Sequence, residues 1–406
     1  MATNQKRVVI LGAGYAGLRT ALTLEPMLKH IPNWQILLID RYNYHQLKTE
    51  IHEVAAGKTS PEAASIPIAT LIAHKKIEFT QAEVIHIDFS KQTVTINRGN
   101  VRYDILVIAL GSEPQFYGIP GLNQYSFTLS SVEDAVRINQ HIQEMFRRAR
   151  NETEQSKKRA MLTIVIGGAG FTGVEFATEL AQNMEELVKQ FAFSPKQVQL
   201  IMIDALDSVL PEFDTELVKR AQQVIERRGI KLKLRAPCIL AEPDAVKLKT
   251  GETIPTHTTI WTGGIQACTI AAESGLEHGA SGRIVANHFL ESIDHTGVYV
   301  VGDAALTVDP VTNRPLAPTA QLAIQQAKVV AFNIHADIGN QKRMKYVPKV
   351  IGQFVSLGGR DAVGWIWKFK VTGFFAWFLK CITLVRYLYS IGGFKLVTRR
   401  LPALFC

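Results

Sequence analysis

The sequence predicts an α/β protein with two Rossmann-like domains and a separate amphipathic region at its C-terminal end. Three observations lead there. Strand-like apolar runs at residues 7–24 and 162–181 each pass through a glycine-rich turn into a helical pattern. Acidic residues close the strands that come next, and the chain beyond residue 340 gathers both aromatic side chains and nearly all the net positive charge.

Composition sets the frame. At 406 residues and 47% hydrophobic content the chain exceeds what one core organises, so two or three domains are expected. Lys6 and Arg7 lead straight into VVIL, with no basic segment, long apolar run and small-residue cleavage site, so the chain is expected to stay in the cytosol. Cys238, Cys268, Cys381 and Cys406 lack C-x-x-C or metal-ligand spacing. That pattern argues against a disulfide framework, a zinc site and an iron–sulfur cluster; no metal is expected and the four are read as free thiols.

The first strand–turn–helix, RVVILGAGYAGLRTALTL, carries Gly12-Ala13-Gly14-Tyr15-Ala16-Gly17, a full G-x-G-x-x-G. Its glycines let backbone approach a pyrophosphate, and the helix N-terminus offers amides and a positive dipole. Asp40 ends the next strand-like run, WQILLID, where a carboxylate accepts a hydrogen bond from a ribose hydroxyl. An N-terminal fingerprint of this kind is where FAD is usually held. A tight turn alone is the bland alternative, and the flanking strand, helix and acid weigh against it.

The second unit, LTIVIGGAGFTGVEFATELA, repeats the pattern about 155 positions later with Gly168-Ala169-Gly170-Phe171-Thr172-Gly173. Asp204 ends the following strand, VQLIMID, and favours the free 2′-hydroxyl of NADH over the 2′-phosphate of NADPH. A strand-end cap remains the ordinary reading of that Asp. Such spacing suggests two separate doubly wound domains. Further buried strands are read at 103–111, 258–264 and 297–303, the last delivering Gly302 and Asp303, an Asp placed to bind a ribityl chain. The polar stretch 147–159 reads as an exposed loop or frayed helix end joining the domains.

From residue 340 onward twelve bases face one acid, Asp361, so this end carries +11 of a total of +9 and the remainder is −2. Basic patches suit nucleic acid or anionic lipid. The aromatic run VTGFFAWFLKCITLVRYLYSIGG favours lipid, with no nucleic-acid partner expected. Lys380 and Arg386 interrupt it, and its longest uncharged stretch, 371–379, falls short of the roughly 20 residues a spanning helix needs. The region is expected to anchor on a membrane without crossing it. Domain core or a dimer interface are the ordinary alternatives for such a helix.

These motifs resemble the two-dinucleotide flavoprotein disulfide reductase superfamily over essentially the whole chain. YDILVIALGSEP and TTIWTGGI resemble its strand-to-glycine crossovers and GVYVVGDAA its FAD-binding Asp motif. GGAGFTGVEFATEL, PTAQLAIQQA, KFKVTGFFAWFLK and RYLYSIGG are similar to the type II NADH dehydrogenases within it.

The resemblance implies an enzyme that oxidises NADH and reduces a membrane quinone through FAD, without pumping protons, on the cytoplasmic side of the cell membrane and as a homodimer. It implies an FAD-binding domain at 1–117 and 271–345, an NADH-binding domain at 118–270 and an anchor at 346–406. It assigns FAD to the first glycine turn with Asp40, Arg41, Val84, Gly111, Gly302, Asp303, Ala320, Gln321 and Lys380, and NADH to the second turn with Asp204. The resemblance implies that Glu175 stands at the nicotinamide–flavin junction, there to orient NADH or deliver a proton; the ordinary reading is a carboxylate stabilising a helix N-terminus.

The resemblance implies that Gln321, with Gln325 one turn on, lines the quinone pocket; the ordinary reading of such a pair is solvated helix surface. It likewise implies that Lys380 faces the flavin's pyrimidine edge, against the ordinary reading of a lysine snorkelling along lipid. Other acceptors within the superfamily, ferredoxin or sulfide and disulfide, and a redox sensor without turnover stand as rivals. Residues 40–60 carry no cysteine pair for disulfide chemistry.

Overall fold

The structure is a computed structural model that describes residues 5–309 and 314–404. Cys406 lies outside them. The chain forms two compact units. The first comprises residues 1–46, 66–113 and 265–350, the second residues 47–65, 114–264 and 351–406. Residues 47–65 thus group with the second unit, as does the C-terminal region from residue 351.

Each unit is built on a five-stranded sheet of the same spatial layout, although one outer strand comes last in chain order in the first unit and first in the second. In the first, Lys6–Leu11 lies at the centre, flanked by Trp34–Asp40 then Ile77–Gln81 on one side and Ile105–Ile108 then Val298–Val300 on the other. In the second, Thr163–Gly167 takes the centre, with Gln199–Ile203 and Ile230–Lys233 on one side and Thr258–Trp261 and Phe127–Thr128 on the other. Every pairing in both sheets is parallel. Parallel strands are covered on both faces, which is why VVIL, ILLI, IVI and LIMI are apolar throughout instead of alternating.

Even the crossovers correspond. A three-stranded antiparallel sheet precedes the Ile105–Ile108 strand, over 84–102, and another precedes the Thr258–Trp261 strand, over 238–255.

The expected linker at 147–159 is corrected. It lies inside the second unit and is largely helical, in Val132–Asn151 and Gln155–Met161. The first of these helices buries Ile138, Ile142, Met145, Phe146 and Ala149 on one face. Its charged face holds i,i+3 and i,i+4 pairs of Arg147 and Arg148 with Glu144, the spacing that neighbours on a helix surface share. The run of polar residues is a solvated helix face, not a break in the chain.

At its C-terminal end the second unit adds an antiparallel sheet of Gly352–Ser356, Ala362–Ile366 and Phe369–Thr372, then a helix over Gly373–Leu404 broken at Gly393, where φ is 66°. By length and composition alone its residues 373–400 are apolar enough to cross a membrane, a property that core helices of soluble proteins share. Packing says more than length. Ala376, Trp377, Cys381, Leu384 and Leu388 are buried against the helix's own unit, while Phe374, Phe375, Phe378, Ile382, Tyr389 and Phe394 are exposed.

Candidate functional site

In the first unit, glycines 12 and 17 are demanded by the fold itself. Gly12 has φ +99° and a Cβ there would meet the Ala109 carbonyl oxygen at 2.3 Å; at Gly17 it would meet the Gly12 carbonyl at 1.8 Å. Gly14 is different, for a Cβ at that position meets nothing within 4 Å. The protein therefore gives no packing reason for the middle glycine, and the space it leaves lies at the N-terminus of the Tyr15–Leu28 helix. A helix's first amides have no carbonyl of a preceding turn to bond, so this opening fits a diphosphate.

Asp40 braces the turn. Its Oδ2 accepts from the Ala13 amide at 2.6 Å and its Oδ1 from the Tyr42 amide at 2.8 Å. His45 completes the brace through the Ala13 carbonyl, 2.9 Å from its Nδ1, and burial pushes its pKa down to about 4, against that bond. A neutral imidazole therefore donates to the carbonyl at neutral pH. Arg41 lies over the Tyr42 ring. Val84 buries its side chain in the core beside Val94 and Ile96, leaving main chain for any adenine contact.

Gly111, at φ +73°, accepts from the Cys268 amide. Gly302, at φ +72°, donates its amide to Gln326 Oε1 at 2.6 Å, and Asp303 Oδ2 accepts from Ser112 Oγ at 2.7 Å.

Ala320 opens the Ala320–Ile338 helix behind the Thr319 cap, and Gln321 follows it, half-buried. Gln325 stands one turn further along the same helix. Its amide is spent on the main chain, donating to the Lys349 carbonyl at 2.7 Å and accepting from the Lys349 amide at 3.0 Å.

The second turn repeats the first. Gly168 has φ +105° and a Cβ would meet the Gly263 backbone at 2.7 Å; Gly173 would meet the Gly168 carbonyl at 2.0 Å; Gly170 meets nothing within 4 Å. Asp204 accepts from the Ala169 amide at 2.5 Å and the Leu206 amide at 2.7 Å, as Asp40 does in its own unit. Phe171 stands edge-on to Phe213 and Thr172 is exposed. The opening at Gly170 fits a second diphosphate.

The Phe171–Gln190 helix then departs from its counterpart by carrying Glu175 into a buried charge cluster. Glu175 Oε1 accepts from Lys380 Nζ at 2.5 Å and from the Ser356 amide at 2.9 Å, and Oε2 lies 3.8 Å from His52 Nδ1. The two charged side chains are 12% and 16% exposed, so the pair is largely desolvated. Burial alone would raise the Glu175 pKa, but the Lys380 ammonium, with His52 and the Ser356 amide, holds it below the usual carboxylate value. Burial would lower that of Lys380, and Glu175 with Glu50 drives it well up. Burial also raises Glu50 to about 7 against the pull of Lys380, and lowers His52 despite Glu175.

Sequence reading treated Glu175 and Lys380 separately and gave Lys380 a flavin edge or lipid headgroups as partner. The fold makes them partners of each other. It missed Glu50, His52, Glu53, Lys58 and Glu179. The only available signals were charged residues in the otherwise apolar IHEVAAG and the i,i+4 spacing of Glu175 and Glu179.

Residues 6–327 match the pyridine nucleotide-disulphide oxidoreductase family. The type II NADH:quinone oxidoreductase of Staphylococcus haemolyticus is 34% identical over 403 residues, covering 98% of this chain and 99% of that one. The protein of the same description from Staphylococcus aureus strain MSSA476 is 32% identical over 405 residues, with 98% and 99% covered. The chain belongs to the pyridine nucleotide-disulphide oxidoreductase family, and its full-length relatives lie among the type II NADH:quinone oxidoreductases.

Solved structures agree at the level of fold. NDH2 from Plasmodium falciparum in complex with NADH superposes with a TM-score of 0.86 at 15% identity, covering 99% of this chain and 97% of that one. The sulfide:quinone oxidoreductase of Aquifex aeolicus follows with 0.76 at 23%, covering 95% and 91%.

Proposed function

We propose that the protein is a membrane-associated NADH:quinone oxidoreductase in which NADH, a quinone and one proton from solvent give NAD⁺ and the quinol. The observation that carries this reading is the duplicated glycine turn, each copy with a middle glycine that no packing contact requires and that leaves open space at a helix N-terminus, in a chain aligned end to end with relatives of that description. FAD, when bound, supplies the two-electron chemistry that joins hydride donor to quinone.

The residues of this chain position and polarise. The first turn, Gly12 to Gly17, with Asp40, Arg41, Val84, Gly111, Gly302 and Asp303, holds FAD; the second, with Asp204, holds NADH and disfavours a 2′-phosphate by charge. The Glu175–Lys380 pair keeps an ammonium and a carboxylate together in low dielectric, where Lys380 stabilises negative charge and Glu175 passes a proton. Ala320 opens its helix toward the flavin, and the Gln321 amide offers a quinone carbonyl a hydrogen bond without adding charge.

The exposed aromatics of the Gly373–Leu404 helix, with the basic side chains around them, seat the protein peripherally on the cytoplasmic face of an anionic membrane, as a homodimer. Two-cysteine chemistry is disfavoured by the sequence, whose residues 40–60 carry no cysteine pair.

Purified protein should be yellow, bleach with NADH under anaerobic conditions and regain colour with a soluble quinone analogue. Steady-state NADH oxidation with several quinones, and NADPH as control, should show turnover with NADH. Reduced flavin left unchanged by every quinone would overturn the reading.

A further inference from the structure

One helical turn from Glu175, at Glu179, the same helix contributes to a second cluster that the reaction above does not use. His52 and Glu53 from the Ile51–Ala55 helix meet Glu179 from the Phe171–Gln190 helix, one donor atom from each lying within 4.8 Å of the others. His52 and Glu179 are each only 2% exposed. Nevertheless His52 Nε2 and Glu179 Oε2 have no hydrogen-bond partner. Buried polar atoms are normally satisfied, so two unsatisfied ones in one cluster point to a ligand.

The protein's own occupant covers only half of the donor set. Lys58 Nζ reaches Glu53 Oε1 at 3.0 Å and Glu179 Oε1 at 3.3 Å, leaving the second oxygen of Glu179 and the imidazole nitrogen unmet. A lysine bridging two carboxylates fills the place of a cation but can accept nothing from a histidine nitrogen.

We propose that His52, Glu53 and Glu179 form a binding site for a late first-row dication of the zinc type, which competes with the Lys58 ammonium. One imidazole and two carboxylates are a nitrogen and oxygen set that suits zinc and not magnesium or calcium. Zinc bonds of about 2.0–2.1 Å place tetrahedral donors roughly 3.3 Å apart, so the side chains close inward as the ammonium leaves. His52 turns its other nitrogen, Nδ1, toward Glu175 Oε2 at 3.8 Å, beyond hydrogen-bond distance but on the side where an outer carboxylate would orient a ligating imidazole once the side chains close inward. Glu175 and Glu179 stand one helical turn apart, so an occupied site also fixes where the Glu175 carboxylate sits.

The test is metal binding, independent of whether a quinone is the acceptor. Full-length, flavin-loaded protein is stripped with a chelator and titrated with Zn²⁺ against a chromophoric chelator, with Mg²⁺ as control. We expect one zinc per chain, binding weakened about tenfold or more by His52→Gln and by Glu179→Gln, and tightened about tenfold by Lys58→Met, which removes the competing charge. Equal affinity in His52→Gln and wild type would place the zinc elsewhere and overturn the proposal. So would a Lys58→Met protein that binds no tighter than wild type, an arm that decides the matter even where the buried substitutions fail to fold.

Discussion

The two glycine turns are one device used twice, and the residue seven positions after each first glycine is where they part. In both, the outer glycines are forced by backbone contacts, the middle one is open, and an Asp from the next strand holds the amide after the first glycine. At the matching helical position stand Arg19 in the first unit and Glu175 in the second. The scaffold for gripping a nucleotide thus tolerates opposite charges one turn further along its helix, and that next turn is where a unit acquires chemistry of its own. In the second unit it acquires a desolvated ion pair.

The largest expected effects come from breaking the shared part. Gly12→Val and Gly168→Val each force a side chain onto backbone at 2.3 and 2.7 Å respectively. The first should yield colourless protein with under about a tenth of the flavin, and the second coloured protein whose bleaching by NADH is slowed about 100-fold, since a close-approach glycine positions the reactant. Absorbance of purified protein and anaerobic stopped-flow separate the two. Equal flavin loss in both would mean the turns do not hold different nucleotides.

Next comes the part that differs. Lys380→Met leaves the Glu175 carboxylate buried without its ammonium and should cost about 3–5 kcal/mol of stability, read by urea unfolding. The double variant Glu175→Gln with Lys380→Met should recover much of that loss. A double variant no more stable than Lys380→Met would refute the pairing.

Glu175→Gln keeps the shape of the site and the Ser356 contact but removes the charge. Quinone turnover should fall about tenfold to 100-fold while flavin content changes less than twofold. An unchanged quinone rate would strip Glu175 of its role.

The smallest effect is at the braces. Asp204→Asn should lower the preference for NADH over NADPH by about tenfold, a charge–phosphate repulsion worth about 1.4 kcal/mol. The corresponding Asp40→Asn should leave that ratio unmoved, and a shift in both would show that the two acids serve one nucleotide.

Legibility in the sequence depends on the range of the interactions involved. Strands, turns and the acids after them are local patterns, so VVILGAGYAG and IVIGGAGFTG announce both sheets. Packing of the 132–151 helix is not local: its charged face at 147–159 looks like a linker until Ile142, Met145 and Phe146 are seen buried beneath it. Glu175 meets Lys380 from 205 positions away, and no spacing rule connects them. His52 and Glu179 stayed hidden for the same reason, as did the allegiance of residues 47–65 to the second unit. The main-chain bond from Gln325 to Lys349 was equally invisible, because such a partner leaves no mark on side-chain periodicity.

The C-terminal helix puts Phe378 on its exposed side and bonds Glu175 through Lys380, two residues apart on the stretch before the break at Gly393. If the helix is seated on lipid as proposed, rolling or sliding it to suit the thickness or curvature of its surroundings would strain the bond to Glu175 at the same moment. Detergent, lipid and bare buffer ought to leave distinguishable imprints on the protein's redox behaviour, through mechanics alone.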